Sequence, residues 1–431
     1  MAHQFSEIEK PNWKRTFYPI WLGQAFSLLG SRLVSFALIW HLTELTEKGV
    51  VLATAALVGL VPELLLMPFA GACVDRWNRR KILIISDGII ALATLLLALL
   101  VFTSTIEIWQ IYILMAIRSI AGAFHNPAMK ASTTLLVAKE SYTNIAGLNQ
   151  LLDSLLEIAT PALGAIFLAW LGVGGVLMID VVTALIAIFP LFFINIPQPD
   201  GKKTSNAGNP VKSLLSDVLE GFRYVYAWKG LLYAFTLATI SNALILPAIT
   251  LVPLLVNRDF GMGVNFLAYL QSLMGVSMAA GALIMSVWSG FKHRMLTMSL
   301  GIIVMGSGLL FFGLVPPEKG YLVFIGAAVF AFANPFHNAP MRSILRENVD
   351  ADMQGRVFAL LTTAAKAATP LGMIVSGPLA DFLNVQLWFV VAAIYCIVMG
   401  LALMAIPATR NLEFGRQQYK ADLLQKSHQS L

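Results

Sequence analysis

Six ionisable side chains lie inside long apolar segments, and they are the first candidates for chemistry. They are Arg32, Glu63, Arg118, Asp153, Glu157 and Lys366. A charge near the centre of a bilayer costs about 2.5 to 3.5 kcal/mol, so such residues face a water-filled cavity or a partner. At a rise of about 1.5 Å per residue, five of the six lie roughly 16 to 22 Å from the start of their segments. We therefore expect them to meet near the middle of the membrane.

Asp153 and Glu157 are four residues apart, so they project from one face of a helix. Two ionised carboxylates there would repel each other, and one of them is expected to hold a proton. Arg118 could release that proton by approaching a carboxylate, or it could neutralise the pair as a static ion pair. Glu63 and Lys366 are each expected to contact substrate or to pair with a charge across the two halves. The candidate proton-coupling residues are Asp153, Glu157, Arg118 and Glu63.

Four other polar residues are weaker candidates for a functional site. Asp87 follows a basic loop, where a helix dipole favours a carboxylate, and a structural role is expected. Asp180 lies in the outer part of its segment and is a weaker candidate for a proton site. His125 and His337 occupy equivalent positions beside Asn and close to Pro, which favours helix-end architecture over metal binding.

The composition indicates a polytopic membrane protein. Of its 431 residues, 58% are hydrophobic and 12% are charged, against about 25% charged in a soluble domain. Most of the 29 Lys and Arg fall in segments assigned to the cytoplasm, which places both termini there. The excess of positive charge therefore predicts contact with the bilayer surface, and no nucleic acid partner.

Motifs for other classes of protein are missing from the sequence. It contains no nucleophile with a base at useful spacing, no His or Cys metal cluster and no phosphate-binding Gly loop. We therefore expect neither an enzyme nor a resident cofactor or metal. A membrane enzyme, a lipid-translocating protein and an ATP-driven pump are all disfavoured.

Hydropathy predicts an all-α fold of twelve transmembrane helices in two pseudo-symmetric halves. The predicted helices are, approximately, 17–42, 50–74, 82–103, 107–137, 142–171, 174–196, 230–256, 266–289, 295–315, 321–345, 356–383 and 387–406. The predicted domains are an N-terminal half (1–196), a cytoplasmic linker with an amphipathic helix (197–228), a C-terminal half (229–409) and a cytoplasmic tail (410–431). Twelve helices enclose a complete pathway, so a monomer is expected.

An internal repeat supports the two halves. The sequence FHNPAM at 124–129 recurs as FHNAPM at 336–341, and ATP at 159–161 recurs at 368–370, with offsets of 212 and 209 residues. Because each half has an even number of predicted helices, the halves share one orientation in the membrane.

The loop between the second and third predicted helices resembles a signature of the major facilitator superfamily. Its residues 71–81 read GACVDRWNRRK, with Gly, Asp and paired cations at the superfamily spacing. Asn78 stands where the signature has a second Gly, and its tolerance of a left-handed backbone is expected to preserve the turn. The resemblance implies that the loop is a cytoplasmic gate in which Asp75 meets the amino end of the eleventh helix. The gate residues are Gly71, Asp75, Arg76, Arg79, Arg80 and Arg356.

Three further sets of residues resemble macrolide-efflux (Mef-type) exporters within that superfamily. They are NWKR at 12–15 leading to IWLGQA at 20–25, RSI at 118–120 followed by AFH and PA, and GRVF at 355–358. Arg118 with Gly122 also resembles the superfamily element to which proton coupling is attributed. Pro161 and Gly164 match part of an antiporter signature, and we expect helix bends at Pro161, Gly164 and Pro370.

By this resemblance the chain is expected to export an amphipathic drug, macrolide-like or multidrug, across a bacterial cell membrane in exchange for protons. Alternatives are a siderophore or metabolite exporter and a proton-coupled uptake symporter. The expected substrate-cavity residues are Arg32, Lys366, Trp21, Gln24, Phe36 and Phe124. The aromatic members of this set could instead belong to the core or face lipid.

Overall fold

The computed structural model of the protein describes residues 13–198 and 219–414. Within these ranges the apolar segments are helices, since a helix satisfies every backbone N–H and C=O inside its own segment. Eleven helical stretches are long and apolar enough to cross a membrane. One of them, Tyr142–Phe193, contains Gly172 at φ 65° and ψ 179°, a conformation that breaks the helix.

Dividing that stretch at Gly172 gives twelve long helices in the described chain, which confirms the predicted fold class. The first six are α1 (Trp13–Thr46), α2 (Gly49–Arg76), α3 (Arg79–Phe102), α4 (Ile108–Leu136), α5 (142–171) and α6 (173–193). The others are α7 (Lys229–Thr250), α8 (Val264–Trp288), α9 (Arg294–Leu314), α10 (Val323–Asn348), α11 (Gln354–Phe382) and α12 (Val385–Ala405).

The start of α3 corrects one expectation about the loop. Asn78 has φ −67° and ψ 110°, so its backbone is extended and not left-handed. Its side-chain Oδ1 accepts a hydrogen bond from the N–H of Lys81 at 3.1 Å. Asn78 is thus the N-cap of α3, a position at which Asn is strongly favoured.

The described chain forms two compact units. The first contains residues 13–45 and 55–198, and the second contains 46–54 and 219–414. In the first unit a core cluster joins α1, α2, α3, α4 and α6 through buried residues that include Phe17, Val74, Leu83, Ala128 and Leu191. The predicted domain boundaries stay predictions, because 199–218 and 415–431 lie outside the described residues.

In the second unit, α9 and α12 pack closely, and the rings of Phe312 and Phe389 stack with centroids 5.1 Å apart. The first turn of α2 also belongs to this unit. Asp381 accepts from the N–H of Gly49 at 2.5 Å and from the N–H of Val50 at 2.9 Å. Because the first N–H groups of a helix have no partner within it, this carboxylate satisfies two of them.

Residues 219–226 are helical and form the described end of the predicted linker helix. Tyr224 and Val225 are buried, and the Tyr224 hydroxyl accepts from the N–H of Asp350 at 3.2 Å. The sequence places apolar residues of this amphipathic helix at a helical period, at Leu214, Leu215, Val218, Leu219 and Phe222. Leu219 and Phe222 are exposed. The earlier part of that helix, with its predicted apolar residues Leu214, Leu215 and Val218, lies outside the described residues.

Candidate functional site

A cavity of about 760 Å³ lies within the first unit and is lined by α1 to α5. This volume falls within the range of about 300 to 1,000 Å³ typical of small-molecule sites. Its apolar lining includes Trp21, Leu28, Val34, Leu38, Ile90, Met115, Met129 and Leu152. Its charged and polar lining includes Gln24, Glu63, Asp87, Arg118, His125, Asn126, Lys130 and Asp153.

Arg118 forms a buried ion pair with Asp180, and not with Asp153 or Glu157. Its Nη1 lies 2.6 Å from Asp180 Oδ2 and also contacts the hydroxyl of Thr94. Asp180 accepts two further hydrogen bonds, from Thr94 Oγ1 at 2.8 Å and from Ser31 Oγ at 3.0 Å. The static ion pair of Arg118 with Asp153 or Glu157, one of the two alternatives above, is therefore wrong.

The Asp180 carboxylate is fully buried, whereas the Arg118 side chain is 12% exposed. Gly30 on α1 permits this arrangement, since a Cβ there would lie 3.0 Å from Asp180 Cα and would also collide with the Thr183 hydroxyl. The pair joins α4 to α6 with the charges compensated and hydrogen-bonded, as a buried ion pair requires. Asp180 is thus a fully buried carboxylate, although it lies in the first half of α6 as predicted from the sequence.

A second polar cluster joins α1, α3 and α4 at the cavity wall. His125 Nε2 lies 3.1 Å from Asp87 Oδ1 and 2.9 Å from Gln24 Oε1. Gln24 Nε2 donates to Asp87 Oδ2 at 2.8 Å. Asp87 and Gln24 are buried, and His125 is mostly buried.

These contacts correct two expectations. Asp87 lies inside α3 and pairs with a histidine, so it does not serve the helix dipole beside the loop. His125 lies inside α4 and lines the cavity, so it is not a helix-end residue. In the residues that the structure describes, no group of three or more His, Cys, Asp and Glu could hold a metal ion.

Glu63 on α2 is held beside α4. Its backbone N–H donates to Ser119 Oγ at 3.2 Å, and that hydroxyl donates to the C=O of Gly59 at 2.8 Å. Its carboxylate Oε1 accepts from Asn126 Nδ2 at 3.1 Å. In the part of the chain that the structure describes, no cation lies within ion-pair distance of Glu63, and its carboxylate lines the cavity.

Asp153 pairs with Arg32 at 2.8 Å, and both side chains are partly exposed, at 53% and 32%. Glu157 is exposed and does not line the cavity. Lys366 lies on α11 of the second unit with an exposed side chain. Asp153 and Glu157, four residues apart, therefore have different surroundings, and only Asp153 reaches the cavity.

The predicted cavity residues divide into two groups. Trp21 and Gln24 line the cavity, and Trp21 Nε1 donates to Asn149 Oδ1 at 2.7 Å. Phe36 does not line it, because its ring lies against Gly164, where an added Cβ would come within 2.6 Å of Phe36 Cδ1. Phe124 packs against the hydrophobic core of the first unit, as the alternative for the aromatic residues allowed.

The predicted helix bends stay predictions. Pro161 and Gly164 are buried inside α5, and Pro370 lies inside α11. The break within Tyr142–Phe193 lies at Gly172.

The cations of the basic loop serve different purposes. Arg79 is buried and donates to the C=O of Ala131 at 3.1 Å. Arg80 donates to the C=O groups of Leu191 and Phe192 at the end of α6. Asp75 is 77% exposed and lies 3.9 Å from Arg79. In the second unit, Arg356 lies 3.0 Å from Glu220.

Replacing Arg80 by Gln is expected to lower the melting temperature of the purified protein. A hydrogen bond to a charged group contributes about 1.5 to 3 kcal/mol, and Arg80 satisfies carbonyls that the end of α6 leaves without a partner. Thermal unfolding followed by tryptophan fluorescence measures the effect. Arg76, which is exposed, provides the matched control. Equal losses for Arg76→Gln and Arg80→Gln would contradict the structural role of Arg80.

Comparison with known proteins agrees with this architecture. The family model described as transmembrane secretion effector matches residues 10–428. Macrolide efflux protein A of Streptococcus pyogenes is 31% identical over 406 residues, which cover 93% of this chain and 98% of that protein. The multidrug efflux pump Tap of Mycolicibacterium fortuitum is 23% identical over 89% of this chain and 94% of its own length.

A solved structure of the nucleoside transporter NupG, in a mutant form, is similar in fold. It covers 90% of this chain and 99% of its own length, with a TM-score of 0.71 and 15% sequence identity. At that identity the likeness concerns the fold alone. The family match along almost the whole chain and the 31% identity with macrolide efflux protein A carry the assignment. The protein is a transporter and belongs to the transmembrane secretion effector family of the major facilitator superfamily.

Proposed function

We propose that the protein exports amphipathic, cationic drugs across the bacterial cell membrane in exchange for protons, by alternating access. The observation that carries this proposal is the cavity of the first unit, in which Glu63 has no cationic partner among the described residues and the surrounding wall is largely apolar. A carboxylate in an apolar site attracts a protonated amine, while the apolar wall binds the rest of an amphipathic molecule.

The names of the relatives support the direction and the substrate class. Two are named for efflux, one of macrolides and one of several drugs. Erythromycin, a macrolide with a basic dimethylamino group, has both features that the cavity selects. The proposal also includes a monomer with both termini in the cytoplasm, as the distribution of Lys and Arg predicts.

Transport by the purified, full-length protein in liposomes tests the proposal. With an acidic lumen imposed, radiolabelled erythromycin and tetraphenylphosphonium are expected to accumulate inside, and a protonophore is expected to abolish the accumulation. Weak bases collect in acidic vesicles without any protein, so empty liposomes are measured in parallel. Tetraphenylphosphonium carries a permanent charge and removes that ambiguity. Movement of neither compound beyond the empty liposomes would contradict the proposal.

The gate implied for Asp75 leads to a separate prediction. Asp75→Asn is expected to weaken transport while the amount of inserted protein is unchanged, because the neutral amide loses the attraction of a carboxylate for a helix amino terminus. That attraction amounts to about 0.3 to 1 kcal/mol at an exposed site. The control is Glu140→Gln. Glu140 is exposed and lies between α4 and α5, in the loop that is predicted to be the next one on the cytoplasmic side. Unchanged transport by Asp75→Asn would remove the gate.

A further inference from the structure

We infer that Asp87 and His125, joined by Gln24, form the site at which this protein binds the exchanged proton. The inference rests on the proposed exchange of drug for protons. It assigns the proton to a pair that lines the same cavity as Glu63, and not to the two carboxylates of α5.

The two oxygens around His125 Nε2 favour one arrangement of the hydrogens on the ring. His125 Nε2 lies between two oxygens, Asp87 Oδ1 at 3.1 Å and Gln24 Oε1 at 2.9 Å. Gln24 turns its amide Nε2 to Asp87 and so presents its Oε1 to the ring, and an ionised Asp87 likewise offers only acceptors. With Asp87 ionised, a hydrogen on Nε2 satisfies both oxygens, whether the ring is neutral or charged. The exchangeable proton is the one on Nδ1.

The charge of the pair explains why a proton would be held there. Asp87 is 2% exposed, and an isolated carboxylate in such a place is costly. An imidazolium beside it makes the pair neutral, while loss of the Nδ1 proton to water leaves one buried negative charge. The pair consequently has two states that differ by one charge. A cationic drug in the cavity favours the deprotonated state by repelling the imidazolium and attracting the carboxylate.

Two adjacent residues of α4 connect this pair to Glu63, the carboxylate that is proposed to bind the drug. His125 contacts Asp87, and the next residue, Asn126, donates to Glu63 Oε1 at 3.1 Å. A drug that binds at Glu63 therefore acts on the same turn of α4 that holds the proton. By reciprocity, protonation of His125 weakens drug binding by the factor with which the drug weakens proton binding.

The other ionisable groups of the cavity wall are weaker candidates for binding the proton. Arg118 on α4 is compensated by Asp180 of α6, and Asp153 on α5 is compensated by Arg32 of α1. The remaining ones are Glu63 on α2, Lys130 on α4 and Tyr142 on α5. Of the side-chain types that line the cavity in the described chain, imidazole is the one whose ordinary pKa lies between about 5 and 8.

The repeat provides an internal comparison. His337 occupies the position of His125 in the second unit, and its Nδ1 is buried without a hydrogen-bond partner in the described chain. No described carboxylate pairs with it. The repeated histidine therefore acquires an acidic partner in the first unit only, and His337→Gln is a matched control.

Nuclear magnetic resonance of the full-length protein labelled with [15N]histidine tests the inference. The chain has six histidines, and the His125 signal is the one that disappears in His125→Gln. We expect its imidazolium form to be lost when saturating tetraphenylphosphonium is added at constant pH. Asp87→Asn, or Asp87→Ser if the first variant does not fold, is expected to lower the proton affinity of His125 at least about tenfold. His337→Gln and Glu157→Gln are expected to leave its titration unchanged.

Several results would overturn the assignment. They are a His125 ring that stays neutral down to about pH 5, a titration unaffected by loss of the Asp87 charge, and a titration unaffected by a drug that the same sample binds. A different combination of results would contradict the proposed function alone. Liposomes that move neither drug, with a His125 titration that still depends on Asp87, would contradict drug export and leave the proton site in place.

Discussion

Asp180→Asn is expected to destabilise the protein by about 3 to 5 kcal/mol, because it leaves the Arg118 guanidinium without its counter-charge in a buried position. The thermal midpoint of the purified protein, followed by tryptophan fluorescence, measures this loss. We expect the same direction for Arg118→Gln, since Asp180 is fully buried and would keep an uncompensated charge. A smaller loss for the double variant than for either single variant would show that the two charges act as a pair.

The pair of Arg32 and Asp153 is the matched control. Its distance of 2.8 Å is similar to that of the buried pair, but its side chains are 32% and 53% exposed. Exposed ion pairs contribute about 0 to 1 kcal/mol, so Asp153→Asn is expected to change the midpoint little. If Asp153→Asn and Asp180→Asn lowered the midpoint equally, burial would not be what decides the stability of these pairs.

The fold could be predicted from the sequence because a bilayer imposes one solution on each long apolar segment. A helix must satisfy its own backbone, and its length must match the hydrocarbon thickness. Even the join between α5 and α6, where the predicted segments end at Leu171 and resume at Gly174, agrees with the break at Gly172. The conformation of Asn78 was mispredicted because capping the next helix is an alternative use of the same residue.

The partners of the ionisable residues could not be predicted in the same way. Arg118 and Asp180 are 62 residues apart, and Arg32 and Asp153 are 121 apart, so only the packing of helices decides which charges meet. The depth of a residue along its helix did not predict which charged residues would pair. Asp180 and Arg118 differ in depth by about 5 Å when counted from the starts of α6 and α4, and a long Arg side chain spans that difference.

The histidine cluster shows which signal could have been used. Asp87 follows Arg79 by eight residues, so it lies about 12 Å into α3 and not beside the loop. The repeat already drew attention to His125 and His337. What the sequence lacks is the register of α1, α3 and α4, which brings Gln24, Asp87 and His125 together. That register depends on side-chain packing across the first unit.

Glu63→Gln is expected to weaken the binding of erythromycin at least about 30-fold, which corresponds to the loss of about 2 kcal/mol from a charge-paired contact in a cavity. The change keeps the shape of the side chain and an oxygen that accepts from Asn126, so the fold and the cavity are preserved. Equilibrium binding of radiolabelled erythromycin to the purified protein measures the affinity. The thermal midpoint verifies that the variant is folded.

Glu157→Gln is the matched control for this effect. Glu157 lies on α5, is exposed and does not line the cavity, so its charge is not expected to contribute to drug binding. A neutral macrolide derivative without the basic amine should bind wild type and Glu63→Gln equally, because the two proteins differ only in a charge that a neutral ligand does not pair with. If Glu63→Gln kept the affinity of the wild type for erythromycin, the cavity would select drugs by shape and apolar surface, and the positive charge of the substrate would have no part in its recognition.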